Sequence, residues 1–239
     1  MRKQLRDVRL SFLRALILTF GCLGLGWGIL NVGQSIVASD FWDVEAQLLR
    51  FETFTRTAAA KTLESPAAQS LSPCDSHAQR ALLLMELTLA DAEQRSGATP
   101  AVGRRVQALE TRTRQILSCA PRDSFAWLVA FGLQASRAAP ISHSFELLAM
   151  SYETAPNEAW VALRRMIVAI PVALAAPAPV QKMILDEFQN LIQHRFAEIP
   201  ARVYFNASAE TRALLQPRIE LLSPPSKRLF SDELEKLRS

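Results

Sequence analysis

The sequence has few of the residues and motifs through which enzymes act. It contains three histidines and three cysteines in 239 residues, and it has no glycine-rich phosphate loop, GxSxG nucleophile motif or HExxH zinc motif. The histidines, His77, His143 and His194, stand in separate segments without the spacing of paired metal ligands. Cys74 and Cys119 do not form a CxxC pair, which argues against a thiol oxidoreductase. The sequence therefore predicts a protein that is not an enzyme and that has no cofactor or metal.

Alternating patterns of β-branched residues are also missing, which argues against β-strands. Beyond residue 40, the chain consists of apolar-periodic segments of about 10–20 residues joined by short connections. We therefore expect an all-α domain of roughly eight or nine helices in this part of the chain.

The surplus of positive charge is confined to the N-terminus. Of 27 basic and 23 acidic residues, five basic ones and one acidic one precede residue 15, so 22 of each remain. The five basic residues are Arg2, Lys3, Arg6, Arg9 and Arg14. Because a nucleic-acid-binding domain needs a basic face on its folded part, the balanced remainder argues against a nucleic-acid partner.

A long run without charge follows this basic tail. No charged residue occurs from Ala15 to Ser39, and about 20 apolar residues suffice to cross the hydrocarbon core of a bilayer. We therefore expect a basic cytoplasmic tail over residues 1–14 and a transmembrane helix over residues 15–38. The positive-inside rule then places a helical stalk and linker (39–75) and an all-α domain (76–239) on the extracytoplasmic side. The alternative is a cleaved secretory signal, although its apolar core would span only about 7–15 residues.

Two glycines in this run, Gly24 and Gly28, form a GxxxG pair. Such spacing allows two helix backbones to approach closely in lipid, so homo-oligomerisation through the anchor is one hypothesis. Glycine is also common in membrane helices in general, so the pair is equally compatible with a lone helix.

The cysteines indicate the compartment of the protein. Cys22 lies in the uncharged run, whereas Cys74 and Cys119 lie beside prolines at element boundaries. In an oxidising compartment these two are expected to form a disulfide that closes a loop of about 45 residues and stabilises the fold by ~4 kcal/mol. The alternative is a pair of unrelated buried thiols.

One short phrase occurs twice, as CAPRDSFAW at 119–127 and TAPNEAW at 154–160. Each copy has Ala-Pro, an acidic residue two positions after the proline, and then a tryptophan. A proline ends one helix and is tolerated in the first turn of the next, and an acidic residue is favoured at a helix start. We therefore expect Pro121 and Pro156 to open two helices, and the rings of Trp127 and Trp160 to pack each helix against its partner.

On these residues, the segment 100–171 resembles the tetratricopeptide repeat family. In that family, a proline near the end of one repeat is followed six positions later by a tryptophan, as Pro121 is by Trp127. The second copy departs from the pattern because Trp160 stands two positions early, and Phe131 occupies a position that is small in the family. The resemblance implies a solenoid of helical hairpins with a concave surface for protein partners. The alternative is an irregular helical bundle.

Four polar residues share one face of a helix that we predict over residues 179–199: Glu187, Asn190, His194 and Glu198. Such a stripe could bind a metal or carry acid–base chemistry, with His194 as the base and Glu198 orienting it. Every surface helix needs a polar face, however, so we expect this stripe to be a solvated one.

Arg164 and Arg165 are candidate contacts for a carboxylate or sugar phosphate of a partner. An arginine four residues from Trp160 also commonly stacks over the ring or forms a surface salt bridge, and we expect that role instead.

The sequence as a whole predicts a membrane-anchored, extracytoplasmic helical scaffold. We expect a single-pass protein of the inner membrane, with its N-terminus in the cytoplasm and most of the chain in the periplasm. Its expected partners are other envelope or inner-membrane proteins, in a complex such as one that makes or exports polysaccharide. The alternative function is an enzyme or ligand-binding domain on an irregular bundle, with its site on the helix over 179–199.

Overall fold

A computed structural model describes residues 2–50, 54–96, 99–137 and 144–238, and within these residues the fold is all-α, as predicted. The first six helices are α1 (Arg2–Leu49), α2 (Arg56–Leu63), α3 (Pro66–Ser70), α4 (Ser76–Arg95), α5 (Thr99–Cys119) and α6 (Ser124–Ala135). The chain continues with α7 (Phe145–Thr154), α8 (Ala159–Ala169), a 3₁₀ helix (Ile170–Ala175), α9 (Ala178–Gln193), α10 (Glu198–Asn206), α11 (Ala209–Glu220) and α12 (Pro224–Lys236).

The predicted transmembrane helix over residues 15–38 is not borne out. Among the residues that the structure describes, no helix has both the length and the apolar character that crossing a membrane requires. The segment is instead one part of α1, which continues without a break to Leu49 through Asp40, Asp43 and Glu45. The side chains of residues 30–37 lie outside those described.

The last turns of α1 pack against α4 and the short helix α3. Ala38 and Phe41 of α1 form a small buried cluster with Ala68, Leu71, Ala78, Ala81 and Leu82. Leu48 belongs to the main core, which extends through the helices of the domain as far as Phe230 of α12. Residues that the sequence assigned to a stalk therefore pack onto the helical domain.

Short polar side chains begin several of the helices. Asp123 caps α6, since its Oδ1 accepts a hydrogen bond of 2.9 Å from the backbone N–H of Ala126. Thr55, Asp75 and Ser208 cap their helices in the same way. Each such cap stabilises a helix by about 1 kcal/mol. Asp123 is the acidic residue that the repeated phrase placed at a helix start.

The helix predicted over residues 179–199 is two helices. α9 ends at Gln193, and Arg195 adopts a left-handed backbone conformation with φ of 72°. The N–H of Phe196 then donates to the carbonyl of Leu191 at 2.9 Å, and the N–H of Arg195 donates to that of Ile192 at 3.1 Å. These two bonds are the Schellman motif, which usually has glycine where Arg195 stands. Pro200, which directly follows the predicted helix, lies within the first turn of α10.

The predicted disulfide is confirmed. Cys74, just before α4, and Cys119, at the end of α5, are bonded, with their Cα atoms 5.3 Å apart. The bond therefore fixes the start of α4 to the end of α5.

Candidate functional site

A cavity of about 500 Å³ opens between α7, α8, α9 and the turn that follows α9. Its volume lies within the range of about 300–1,000 Å³ that is typical of ligand sites. The apolar part of its wall consists of Pro156, Ala159, Ala162, Met183, Leu191 and Phe196. The polar part consists of Tyr152, Glu153, Asn157, Asp186, Glu187, Asn190 and His194.

The helix α9 supplies one wall through residues three and four positions apart. Glu187, Asn190 and His194 lie on one helical face and all line the cavity. Glu198, the fourth member of the predicted stripe, belongs to α10 and lies at the surface 3.5 Å from Arg202. The stripe is therefore divided by the turn after α9, and the proposed orientation of His194 by Glu198 is not seen.

Arg165 of α8 holds the three helices of the cavity together. Its side chain is completely buried. The guanidinium donates to the Glu187 carboxylate of α9, with its shortest bond from Nη2 to Oε1 at 2.6 Å. It also donates to the backbone carbonyls of Ser151 at 2.7 Å and Ala155 at 3.1 Å, at the end of α7. A positive charge at this end is favourable because the helix dipole is negative there.

Burial dominates the ionisation of Glu187. It raises the pKa of the carboxyl above its usual range, although the Arg165 guanidinium acts in the opposite direction. The side chain is therefore costly to keep charged and depends on Arg165 as its counter-ion.

Tyr152 of α7 is a buried side chain whose polar atom is unpartnered. Only 7 % of the residue is exposed. Its hydroxyl forms no hydrogen bond of ordinary length and angle within the described residues, although it lies near enough to the Glu187 carboxylate for each group to shift the pKa of the other. The ring lies 4.5 Å from the guanidinium carbon of Arg165. Burial raises the pKa of the phenol well above its usual value, and the nearby Glu187 carboxylate acts in the same direction. The hydroxyl thus stays protonated, and its oxygen accepts no hydrogen bond from the described residues.

The rim of the cavity carries His194 and Asp186. The Nδ1 atom of His194 lies 2.8 Å from the carbonyl oxygen of Asn190, and since a carbonyl only accepts, Nδ1 carries the proton. In the neutral form of the imidazole, Nε2 is then a hydrogen-bond acceptor. Asp186 pairs with Lys182 at 2.5 Å and with Arg218 at 2.8 Å.

The two copies of the repeated phrase lie at one junction of the fold. The ring of Trp160 has the guanidinium carbons of Arg80 and Arg164 at 5.5 and 5.6 Å. Arg80 also bonds to Asp123, the cap of α6, at 2.7 Å. The Nε1 atom of Trp127 donates to the carbonyl of Pro121 at 2.8 Å, so this ring fixes the turn that opens its own helix.

Arg164 stacks on Trp160, as expected, and donates to the carbonyl of Leu48 at 2.5 Å. Gly24 and Gly28 lie in α1 with open space around the position of a Cβ atom. Their role in self-association, the partner contacts of Arg164 and Arg165, and the tetratricopeptide interpretation stay predictions.

Sequence reasoning missed the members of the cavity that come from α7 and the turn after it. Tyr152 and Glu153 stand in no recognisable motif, and Asn157 occupies a position of the repeated phrase that differs between its two copies. Only the packing of α7 against α9 brings the three to Glu187. The apolar spacing of the helices offered the one available signal, since it predicts that neighbouring helices pack but not which faces meet.

The cavity offers hydrogen-bonding groups to a ligand. Within the described part of the chain, no group of three or more histidine, cysteine, aspartate and glutamate side chains could hold a metal ion. The carboxylate of Glu187 is held by Arg165. The Nε2 atom of His194 and the phenol of Tyr152 are suited to hydrogen-bonding a ligand.

No protein-family model, curated protein or solved structure matches this chain.

Proposed function

We propose that this protein is a helical binding module that acts outside the cytoplasm and holds a segment of a partner protein in the cavity between α7, α8 and α9. The single observation that carries the proposal is the Tyr152 hydroxyl, which is buried and unpartnered beside a cavity of ligand-binding size. A buried polar group without a partner costs about 1–3 kcal/mol, so a ligand that supplies the partner recovers this free energy.

The positions of the charged side chains favour binding over catalysis. A general base needs a nucleophile or a substrate proton within hydrogen-bond reach, and a nucleophile needs an adjacent base. Serine, threonine and cysteine are missing from the residues that line the cavity, so His194 has none of these nucleophiles there to activate.

The disulfide supports the proposed compartment. Structural disulfides persist in oxidising compartments and are rare in the cytosol, so the Cys74–Cys119 bond suits an extracytoplasmic domain. We propose proteins of the cell envelope as partners on this ground.

Site-specific photocrosslinking in cells tests the proposal. A photoreactive amino acid in place of Met183, which lines the cavity, should give one discrete crosslinked product in the full chain. The same amino acid in place of Gln193, an exposed residue of α9 outside the cavity wall, is the matched control and should not give that product.

A second substitution shows whether the product depends on the cavity. Ala159→Trp fills the cavity from its half-buried rim and should abolish the crosslink from position 183. A product that persists in this variant, or that forms equally from position 193, would show that the cavity is not the binding site.

A further inference from the structure

We infer that the segment held in this cavity enters it with a lysine or arginine side chain. The inference rests on the proposed function, because it names the chemical class of the group that the cavity takes. It is drawn from the charge of the lining, from the unpartnered polar atoms and from the apolar wall.

The charge of the lining is negative. Glu153, Asp186 and Glu187 line the cavity, whereas no lysine or arginine does. The counter-ions of the last two, Arg165, Lys182 and Arg218, stand outside the lining. Glu153 is exposed and forms no ion pair with the residues that the structure describes. Arg165 compensates the charge of Glu187, and Lys182 and Arg218 compensate that of Asp186. Glu153 is therefore the carboxylate of the lining that favours a cation.

The unpartnered polar atoms add an observation that is independent of the acidic residues. The Tyr152 oxygen is buried, and His194 is exposed; in the neutral form of its imidazole, Nε2 is an acceptor. A phenol oxygen accepts hydrogen bonds as well as donating one, and an ammonium or guanidinium group has only donors. A cationic group can therefore donate to these atoms, whereas a carboxylate has no donor to offer them.

The apolar wall suits the methylene stem of such a side chain. Lysine and arginine commonly bury their stems along apolar surface and keep the charged group among polar partners. Met183, Ala159 and Leu191 supply apolar surface here. Phe196 lies in the same wall and is 43 % exposed, so its ring is available for a cation–π contact.

Titration of the full chain with four capped pentapeptides tests the inference. The peptides carry lysine, arginine, norleucine or glutamate at the centre and alanine elsewhere. Binding is followed by the methyl NMR resonance of Met183 in protein labelled at its methionine methyl groups. The resonance of Met85, which is completely buried outside the cavity, is the internal control.

The lysine and arginine peptides should shift the Met183 resonance saturably and bind at least about tenfold more tightly than the norleucine peptide. The glutamate peptide should give no saturable shift. Raising the salt concentration from about 0.05 to about 0.5 M should weaken only the lysine and arginine peptides.

Matched variants of α7 locate the effect in the cavity. Glu153→Gln should weaken the lysine peptide about fivefold, because it removes a carboxylate of the lining. Glu146→Gln makes the same change on the same helix at an exposed residue outside the lining, and it should leave the affinity unchanged.

Other outcomes overturn the inference in distinguishable ways. Equal affinity for the norleucine peptide would show that the cavity binds apolar side chains, and the proposed function would stand. If no peptide binds but the crosslink from position 183 still forms, the inference of a lysine or arginine side chain is refuted and the proposed function stands. If the crosslink is also absent, the proposed function fails as well. Spermidine is titrated in the same way. If it binds at least about tenfold more tightly than the lysine peptide, the ligand of the cavity is a free polyamine and not a protein segment.

Discussion

Replacement of Arg165 by methionine should destabilise the protein strongly. Methionine retains much of the buried stem but leaves three acceptor groups without their donor: the Glu187 carboxylate and the carbonyls of Ser151 and Ala155. At about 1–3 kcal/mol for each buried group left unsatisfied, the loss is about 3–9 kcal/mol. Removing one partner of a buried ion pair typically costs about 3–5 kcal/mol. We therefore expect the free energy of unfolding to fall by about 4 kcal/mol.

The assay is urea unfolding at pH 7, followed by the circular dichroism of the helices. Glu187→Leu should also destabilise the protein by several kcal/mol, because it leaves the Arg165 charge buried without a counter-ion. The double variant should lose less than the sum of the two single variants, by about 2–3 kcal/mol, since it leaves neither charge uncompensated.

Lys182→Met is the matched control. It breaks an ion pair on the same helix as Glu187, but the Lys182 side chain is 71 % exposed, so the expected loss is below about 1 kcal/mol. A loss below about 1 kcal/mol for Arg165→Met would refute the assignment of Arg165 as the link between α7, α8 and α9. Strict additivity in the double variant would refute the coupling of Arg165 to Glu187.

Three further predictions concern single features of the fold. Arg195→Gly should raise the free energy of unfolding by about 0.5–1 kcal/mol, because glycine adopts the left-handed conformation without a Cβ penalty; thermal unfolding checks this. Replacing Cys74 and Cys119 by serine should lower the free energy of unfolding by about 4 kcal/mol in urea unfolding. A loss below about 1 kcal/mol would show that the disulfide does not restrain the unfolded chain. Tyr152→Phe should raise the free energy of unfolding by about 1 kcal/mol and weaken the binding of the lysine peptide. Destabilisation would show that the hydroxyl has a hydrogen-bond partner.

The sequence predicted the features that depend on local chemistry. The all-α class followed from apolar periodicity, the cap of α6 from an aspartate before an apolar run, and the disulfide from two cysteines at element boundaries. Each of these features is determined by a few neighbouring residues or by the number of cysteines, and can therefore be predicted without knowledge of the tertiary packing.

Other features depend on contacts that no local pattern encodes. The turn after α9 could not be predicted, because the left-handed residue is Arg195, whereas glycine or asparagine would have marked the end of the helix. The buried pairing of Arg165 with Glu187 joins residues 22 positions apart, and each alone resembles a residue of a solvated helix face. The cavity therefore emerges only from the packing of α7, α8 and α9.

The repeated phrase shows how one local signal serves two unlike roles. Both copies begin a helix after Ala-Pro, but Asp123 caps its helix with a side-chain hydrogen bond whereas Glu158 makes none to its own. Trp127 bonds to its own turn, and Trp160 lies against Arg80 and Arg164. Both copies thus place proline and an acidic residue at a helix start. The tertiary contacts of the two copies differ, because each tryptophan ring meets different neighbours. The second copy stands at the start of α8, where the ring of Trp160 anchors this helix to the first half of the domain. Arg165 follows five residues later and links the same helix to α7 and α9 at the cavity.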